Sequence, residues 1–383
     1  MNVAYIMTGL GVLPDRIVNV SGHVQIPLKT ADLVGNLGND VLLIASSQSD
    51  GTAMPKFLPK KIKLELVSDG RRRGALGTQE RKSGYKLLSL FSQIYKTSIL
   101  VRKNEVDIVH VFGFERMLRF GAILKFLTGK PVVVTLLGGR PKKIYKPLYE
   151  GVDSVIFLTD SLMAQWNQAK LNQKNIKIYP GVVRDLSLQS SNIFPQKKRV
   201  LFWREASLFG GADICVDAFR KLASKFPDII FTFAIRYHKD EVEGLEDLNK
   251  NFDNVEIHRF PYAEGFSLEE LLSESICAVF PYRELSIEPQ MSVVETLSIG
   301  CPVICSNIKS LPELVENGKN GWVLETLTSH CLIEYLTDML SGTSELSMSS
   351  YEIAKEFREK WNWDKYLQLN METYVNVERS HGR

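Results

Sequence analysis

Apolar positions along this chain recur with two periods. Short runs of β type alternate with longer stretches at helical spacing from one end to the other. The first run, Val3 to Met7, leads through a glycine-containing loop to a helical stretch from about His23 to Asn36, then to a strand from Val41 to Ala45. Lys86 to Leu100 has helical spacing, and strands are predicted over residues 107–111, 131–136 and 154–158. Residues 186–198 are polar, aperiodic and interrupted by a proline, as in a linker. A second series follows, with strands over 199–203, 229–235, 255–258, 276–280, 302–305 and 322–324 and helices over 212–226, 268–274 and 292–299. The stretch from Ser350 to Val377 is helical and shifts phase at Trp361 and Trp363. Alternation of this kind predicts an α/β chain with parallel sheets covered by helices. Two Rossmann-like doubly wound domains are expected, residues 1–187 and 199–360, with a terminal helix over 361–383 packing back toward the first.

Composition narrows the picture. With 383 residues, 44% of them hydrophobic, each domain can fill a core, which excludes disordered, collagen-like and disulfide-scaffold classes. No run of 18 apolar residues occurs, and no basic region precedes the apolar start, so neither a spanning helix nor a signal peptide is expected. The expected location is cytoplasmic, either soluble or peripheral on the inner face of the membrane. Of the five cysteines only Cys301 and Cys305 are close, and they flank a Pro-Val-Ile strand, which reads as reduced buried thiols. The net charge of +3 hides an asymmetry: residues 1–190 hold 27 Lys/Arg against 14 Asp/Glu, residues 191–383 hold 20 against 30. One lobe is basic and the other acidic. Either the unlike lobes merely attract each other, or the basic one meets an anionic partner.

Two open parallel sheets facing one another gather their C-terminal strand edges and adjoining helix N-termini around a cleft. Helix N-termini carry unpaired N–H groups and partial positive charge, so a phosphate ester is the default ligand. The segment from Ile287 to Cys305 supplies a polar loop, a helix and a Gly-x-Pro entry to a strand. Glu295, in the first turn or so, can accept both hydroxyls of a ribose. The amides of Met291, Ser292 and Val293, just after Gln290, would face a diphosphate, and Glu288 would reach the next part of the ligand. A glutamate that only complements the helix dipole is the competing reading. Arg204, ending an apolar strand, can bridge two phosphoryl groups or form a surface ion pair. His110 near a strand edge is either catalytic or a satisfied structural residue. Gly9-x-Gly11 lacks the third glycine of a dinucleotide fingerprint, and no Asp-x-Asp run or His/carboxylate cluster offers a metal site.

Glu295-Thr-Leu-Ser-Ile-Gly300-Cys-Pro-Val-Ile304 resembles the hallmark of the retaining nucleotide-sugar glycosyltransferases of family 4. In that family a Glu, seven residues and a second Glu precede Gly-x-Pro-Val-Ile. Leu311 to Val323 looks like the following stretch, and Arg199 to Arg204 with Gly210-Gly211 looks like the strand and turn that grip the donor diphosphate. The resemblance covers nearly the whole chain. It implies the GT-B fold, two facing Rossmann-like domains with an interdomain cleft. It also implies a metal-independent hexosyl or N-acetylhexosaminyl transferase without cofactor. That enzyme would move a sugar with retention from a UDP- or GDP-type donor to a glycan or lipid-linked hydroxyl, in cell-surface polysaccharide or glycolipid synthesis. No nucleic acid partner is implied. The roles carried over are catalytic for Glu288, His110 and Arg204, donor-binding for Arg204, Glu288, Gln290, Met291, Ser292, Val293, Glu295 and His258, and acceptor-side for Gly22, His23, Gly113, Gly138 and Arg140.

The chain departs from the family at four places. Glu288 leaves the Glu spacing one residue short, with Ile287 in the strict position. Phe209 or Gly210 stands where a lysine is expected, and Phe112 and Leu137 stand where histidines are common. Arg140, Lys142 and Lys143 are candidates to replace the lost charge. A second reading is therefore a partner subunit that binds a sugar nucleotide or glycan without turnover. A non-hydrolysing epimerase on the same fold is a third, without its acid/base cluster. The basic helices over 86–102 and 117–127 either lie on an anionic membrane or simply pack the core.

Overall fold

A computed structural model describes residues 1–13, 16–19, 22–47, 62–68, 85–142, 145–168, 174–182, 199–236 and 240–381. The linker expected over 186–198, Lys143 and the arginines at 71–73 lie outside these. The chain divides into two compact units, Met1–Val183 with Trp363–Arg383, and Arg184–Asn362.

The first unit runs β1 (Asn2–Leu13), β2 (Arg16–Asn19), α1 (Gly22–Asn36), β3 (Asp40–Ser47), β4 (Ile62–Ser68), α2 (Tyr85–Lys103), β5 (Ile108–Gly113), α3 (Glu115–Thr128), β6 (Val132–Leu136), α4 (Lys146–Tyr149), β7 (Ser154–Phe157), α5 (Asp160–Asn167) and β8 (Lys174–Lys177). Its sheet has the order β4-β3-β1-β5-β6-β7-β8, and β2 pairs antiparallel with the end of β1. Every residue of β5 and β6 is buried, which is why both read as unbroken apolar runs: helices cover the two faces of a parallel strand. β2, β4 and β8 were not anticipated; β4 and β8 interleave lysines and a glutamate with apolar residues.

The second unit runs β9 (Arg199–Glu205), α6 (Ala212–Lys225), β10 (Ile230–Arg236), α7 (Leu245–Asn251), β11 (Val255–Phe260), α8 (Leu268–Ser273), β12 (Ser275–Phe280), α9 (Met291–Ser298), β13 (Val303–Ser306), α10 (Leu311–Leu314), β14 (Gly321–Leu324), α11 (Ser329–Leu340) and α12 (Ser350–Lys360). The sheet order is β11-β10-β9-β12-β13-β14, parallel throughout. Strand order reverses between β9 and β12, the topological switch point at which open α/β sheets bind ligands. The Gly-x-Pro signature has a local cause here. Gly300 ends α9 at φ 84°, and a Cβ there would lie 2.1 Å from the Ser350 carbonyl oxygen. Only glycine lets the start of α12 approach so closely.

The terminal helical stretch breaks at Trp361 and Asn362, and its second half, α13 (Trp363–His381), belongs to the first unit. There the Trp363 indole donates to the Val182 carbonyl (2.7 Å), and the Thr30 hydroxyl donates to Tyr366 (3.3 Å). The Tyr374 hydroxyl lies 3.0 Å from that of Tyr5, a core residue of β1. Among the described residues no helix is long and apolar enough to cross a membrane, and all five cysteines are buried free thiols.

Candidate functional site

The β9/β12 switch point of the second unit is built from two loops and the start of α9. β9 carries Arg204 as its next-to-last residue and turns through residues 206–211 into α6; Gly211 sits at φ 73°, where a Cβ would lie 1.9 Å from the Pro281 carbonyl oxygen. Arg283 locks the same turn from the other side: its amide donates to the Phe209 carbonyl (2.9 Å) and its guanidinium forks onto Asp213 (2.5 and 2.7 Å). The loops after β9 and β12 are thus fixed to one another, and Arg204 comes to rest beside Tyr282.

Tyr282 is a residue that sequence reasoning missed. Its hydroxyl accepts from the Gln290 amide group (2.8 Å) and lies 3.2 Å from the Ser292 hydroxyl, while its carbonyl accepts from Ser306 of β13 (2.7 Å). Burial raises the pKa of this phenol, and the Arg204 charge is the largest influence pulling it back. The only signal for it in the sequence was a tyrosine two residues past an apolar strand.

Arg204 stacks 5.0 Å from the Trp203 ring centre, and its buried Nε makes no hydrogen bond among the described residues. A guanidinium N–H left without an acceptor at a switch point is what an incoming phosphate would satisfy. Trp203 braces α9: its indole donates to Thr296 (3.1 Å), whose hydroxyl donates back to the Ser292 carbonyl (2.7 Å).

All eight residues of α9 are buried. The Gln290 carbonyl takes the amides of Val293 (3.0 Å) and Val294 (3.3 Å), so Val293 does not offer the free N–H expected of it. Met291 and Ser292 open the helix, and theirs are the amides placed to meet an anion. Glu295 is the fifth residue of the helix, just past its first turn, with only 4% of its surface exposed. Glu288, in the loop before α9, is 1% exposed, and its Oε1 lies 3.8 Å from Lys309 Nζ. Two buried carboxylates therefore bracket the start of α9. His258 stands apart, on the outermost strand β11, with Nε2 3.4 Å from Glu256.

In the first unit the expectations fare differently. His110 is wholly buried on β5, its Nδ1 2.5 Å from the Tyr374 hydroxyl and its Nε2 2.7 Å from that of Thr135. Burial drives its pKa down to about 3, so the ring is neutral, and both nitrogens are occupied. Of the two readings left open for His110, these contacts, one of them to Tyr374 of α13, fit the structural one. Phe112 stacks on it at 4.1 Å. Gly113 and Gly138 end β5 and follow β6, both at φ 152°, and the Leu137 amide bonds the Gly113 carbonyl (2.8 Å). Arg140 and Lys142 are exposed just beyond. Gly22 and His23 open α1, and the His23 side chain lies outside the described residues. Among the described residues no three His, Cys, Asp or Glu side chains gather as a metal-ligand set.

Residues 183–357 match the family described as Glycosyl transferases group 1. An uncharacterized glycosyltransferase of Methanocaldococcus jannaschii is 22% identical over 320 residues, which cover 76% of this chain and 82% of that protein. Among solved structures, a glycosyltransferase from Rickettsia africae superposes with a TM-score of 0.71 at 16% identity, covering 98% of both chains. Anabaena HepE in complex with UDP superposes at 0.68 and 16% identity, over 98% of this chain and all of that one. These likenesses establish the fold as the two-domain α/β type of the GT-B glycosyltransferases.

Proposed function

We propose that this protein is a glycosyltransferase that takes a sugar from a nucleoside diphosphate donor and places it on a hydroxyl acceptor with retention of configuration. The observation that carries the proposal is the unpartnered Arg204 Nε beside the α9 N-terminus, bracketed by buried Glu288 and Glu295. The group 1 match over this same unit, and the structures of HepE with UDP and with UDP-glucose, support the choice of donor class. In this reading Glu295 accepts the ribose hydroxyls, Arg204 and the Met291 and Ser292 amides hold the diphosphate, and Glu288 addresses the sugar. The bond from the anomeric carbon to the diphosphate breaks and the acceptor oxygen bonds on the same face. The acceptor proton passes to the departing phosphate oxygen. Fixed cations and amides stabilise the charge that develops on the leaving group, the role a metal fills elsewhere.

The test is a thermal-shift screen of UDP-, GDP- and dTDP-sugars, followed by transfer or hydrolysis of the stabilising donor with and without chelator. A donor at ~100 times its dissociation constant raises stability by roughly 2.7 kcal/mol. Turnover that survives chelator is the expected result, and turnover restored only by added divalent ion would overturn the metal-free mechanism. Binding without turnover would make the protein the sugar-nucleotide-binding partner subunit instead.

The acceptor is proposed to be lipid-linked or glycan-borne and reached at a membrane surface. α2 carries Lys86, Lys96, Arg102 and Lys103 and no acidic residue, and Phe91, Tyr95 and Ile99 on it are 54%, 65% and 46% exposed. A helix that only packed a core would not present that stripe to water. Each cation near an anionic surface adds about 1 kcal/mol. Binding to anionic vesicles should be measurable at low salt and fall steeply once the Debye length drops below ~8 Å. No binding at low ionic strength would return both basic helices to core packing and favour a soluble acceptor.

A further inference from the structure

Lys309 belongs to none of the motifs that pointed to the donor site, yet it reaches into it. It lies three residues beyond β13, at the same C-terminal sheet edge as Arg204, and its backbone is at φ 48°, a conformation that side-chain-bearing residues rarely adopt. Such a conformation persists where the surroundings over-determine it, and here the side chain shows how. Its ammonium donates to the Leu285 carbonyl and sits 3.8 Å from Glu288 Oε1. Both partners belong to the loop between β12 and α9, so one cation ties that loop at two points to the neighbouring strand's exit.

The anchored residue is the glutamate whose spacing to Glu295 is one short. A loop that must shift to bring a carboxylate into place needs something to hold the shifted arrangement. A carboxylate 1% exposed also needs a cation within reach to remain charged. Lys309 meets both requirements. The lysine expected after Arg204 is replaced by Phe209, whose ring is 56% exposed, and by Gly210, so the turn after β9 brings no cation there.

We propose that Lys309 is the positioning residue for Glu288, holding the shortened loop so that this carboxylate faces the donor sugar. The proposal rests on the donor-site reading above, so its test separates the two. Lys309→Met, Lys309→Arg and Glu288→Gln are compared by amide exchange over residues 283–290 without ligand, by affinity for UDP and GDP, and by donor turnover. Lys309→Met is expected to speed exchange in that loop about tenfold or more, to lower kcat at least tenfold, and to change nucleotide affinity by less than about threefold. Lys309→Arg should recover most of the lost kcat, and adding Lys309→Met to Glu288→Gln should cost little beyond Glu288→Gln alone. Unchanged exchange, parallel loss of kcat and nucleotide affinity, absence of rescue by arginine, or additive losses would each overturn it. Faster exchange in a protein that binds neither nucleotide would sink the donor-site reading and with it the positioning role, leaving Lys309 a loop brace.

Discussion

A chain ended at Asn362 will lose the first unit's fold and keep the second's. α13 contributes Tyr366, Asn370, Thr373, Tyr374 and Val377 to the buried interior of the first unit. Truncating one buried aromatic typically costs 3–5 kcal/mol, and each buried polar group left without its partner adds about 1–3. Removing the helix strips two aromatics at once and strands the Tyr5 hydroxyl and His110 Nδ1. Together these come to roughly 8–16 kcal/mol, as much as the ~5–15 kcal/mol that is the whole stability of an ordinary domain. Hydrogen exchange should show protection lost across β1, β5 and β6 while α6, β9 and β12 stay protected. Tyr374→Phe is the mild form of the same experiment; it keeps the ring and removes only the hydroxyl, so a loss of about 1–3 kcal/mol confined to the first unit is expected. Intact protection of β5 in the shortened chain would show that α13 is an accessory rather than a part of this core.

Glu295→Gln and Glu288→Gln should separate binding from turnover. Both side chains are buried and glutamine matches glutamate in shape, so the fold survives either change. In the proposed function Glu295 accepts the ribose hydroxyls, so Glu295→Gln should remove a charge-assisted pair, a change of about 1.5–3 kcal/mol, or ~10- to 150-fold in nucleotide dissociation constant. Glu288→Gln should leave that constant within about threefold and lower kcat by ~100-fold, because the electrostatic help it gives is felt mainly as charge develops at the sugar. Calorimetric binding of UDP and GDP beside donor turnover reads both effects. Equal losses of affinity in the two variants would refute the division of roles and the alignment that places Glu288.

What the sequence disclosed follows the physics of burial. Strands covered on both faces, such as β5, β6 and β12, appear as apolar runs, and the helices between them as 3.6-residue stripes. β8 ends the sheet with Lys-Asn-Ile-Lys, and nothing in such a pattern distinguishes it from a loop. Glu288 to Glu295 could be proposed together as a donor site because they lie in one continuous segment, where spacing along a helix is spacing in space, whereas Arg204 had to be added from a separate strand. The two readings of His110 stayed open in the sequence because its partner Tyr374 is 264 residues away, and a strand's own pattern does not say which helix packs on it. Tyr282 and Lys309 escaped notice for the same reason. Each gains its meaning from β12 and β13 lying side by side, which is a property of the sheet rather than of either loop.

The membership of α13 in the first unit bears on how the protein is made. A ribosome delivers residues 1–183 well before 363–383, so the first unit waits, with the slot for its last helix empty, while the whole of the second is synthesised. The usual order, N-terminal domain first, is therefore reversed at the final step: residues 199–360 have everything they need as soon as they emerge. During that interval Tyr5 and His110 lack the partner that Tyr374 gives them, and the nascent first unit stays open to chaperones and to aggregation until α13 arrives.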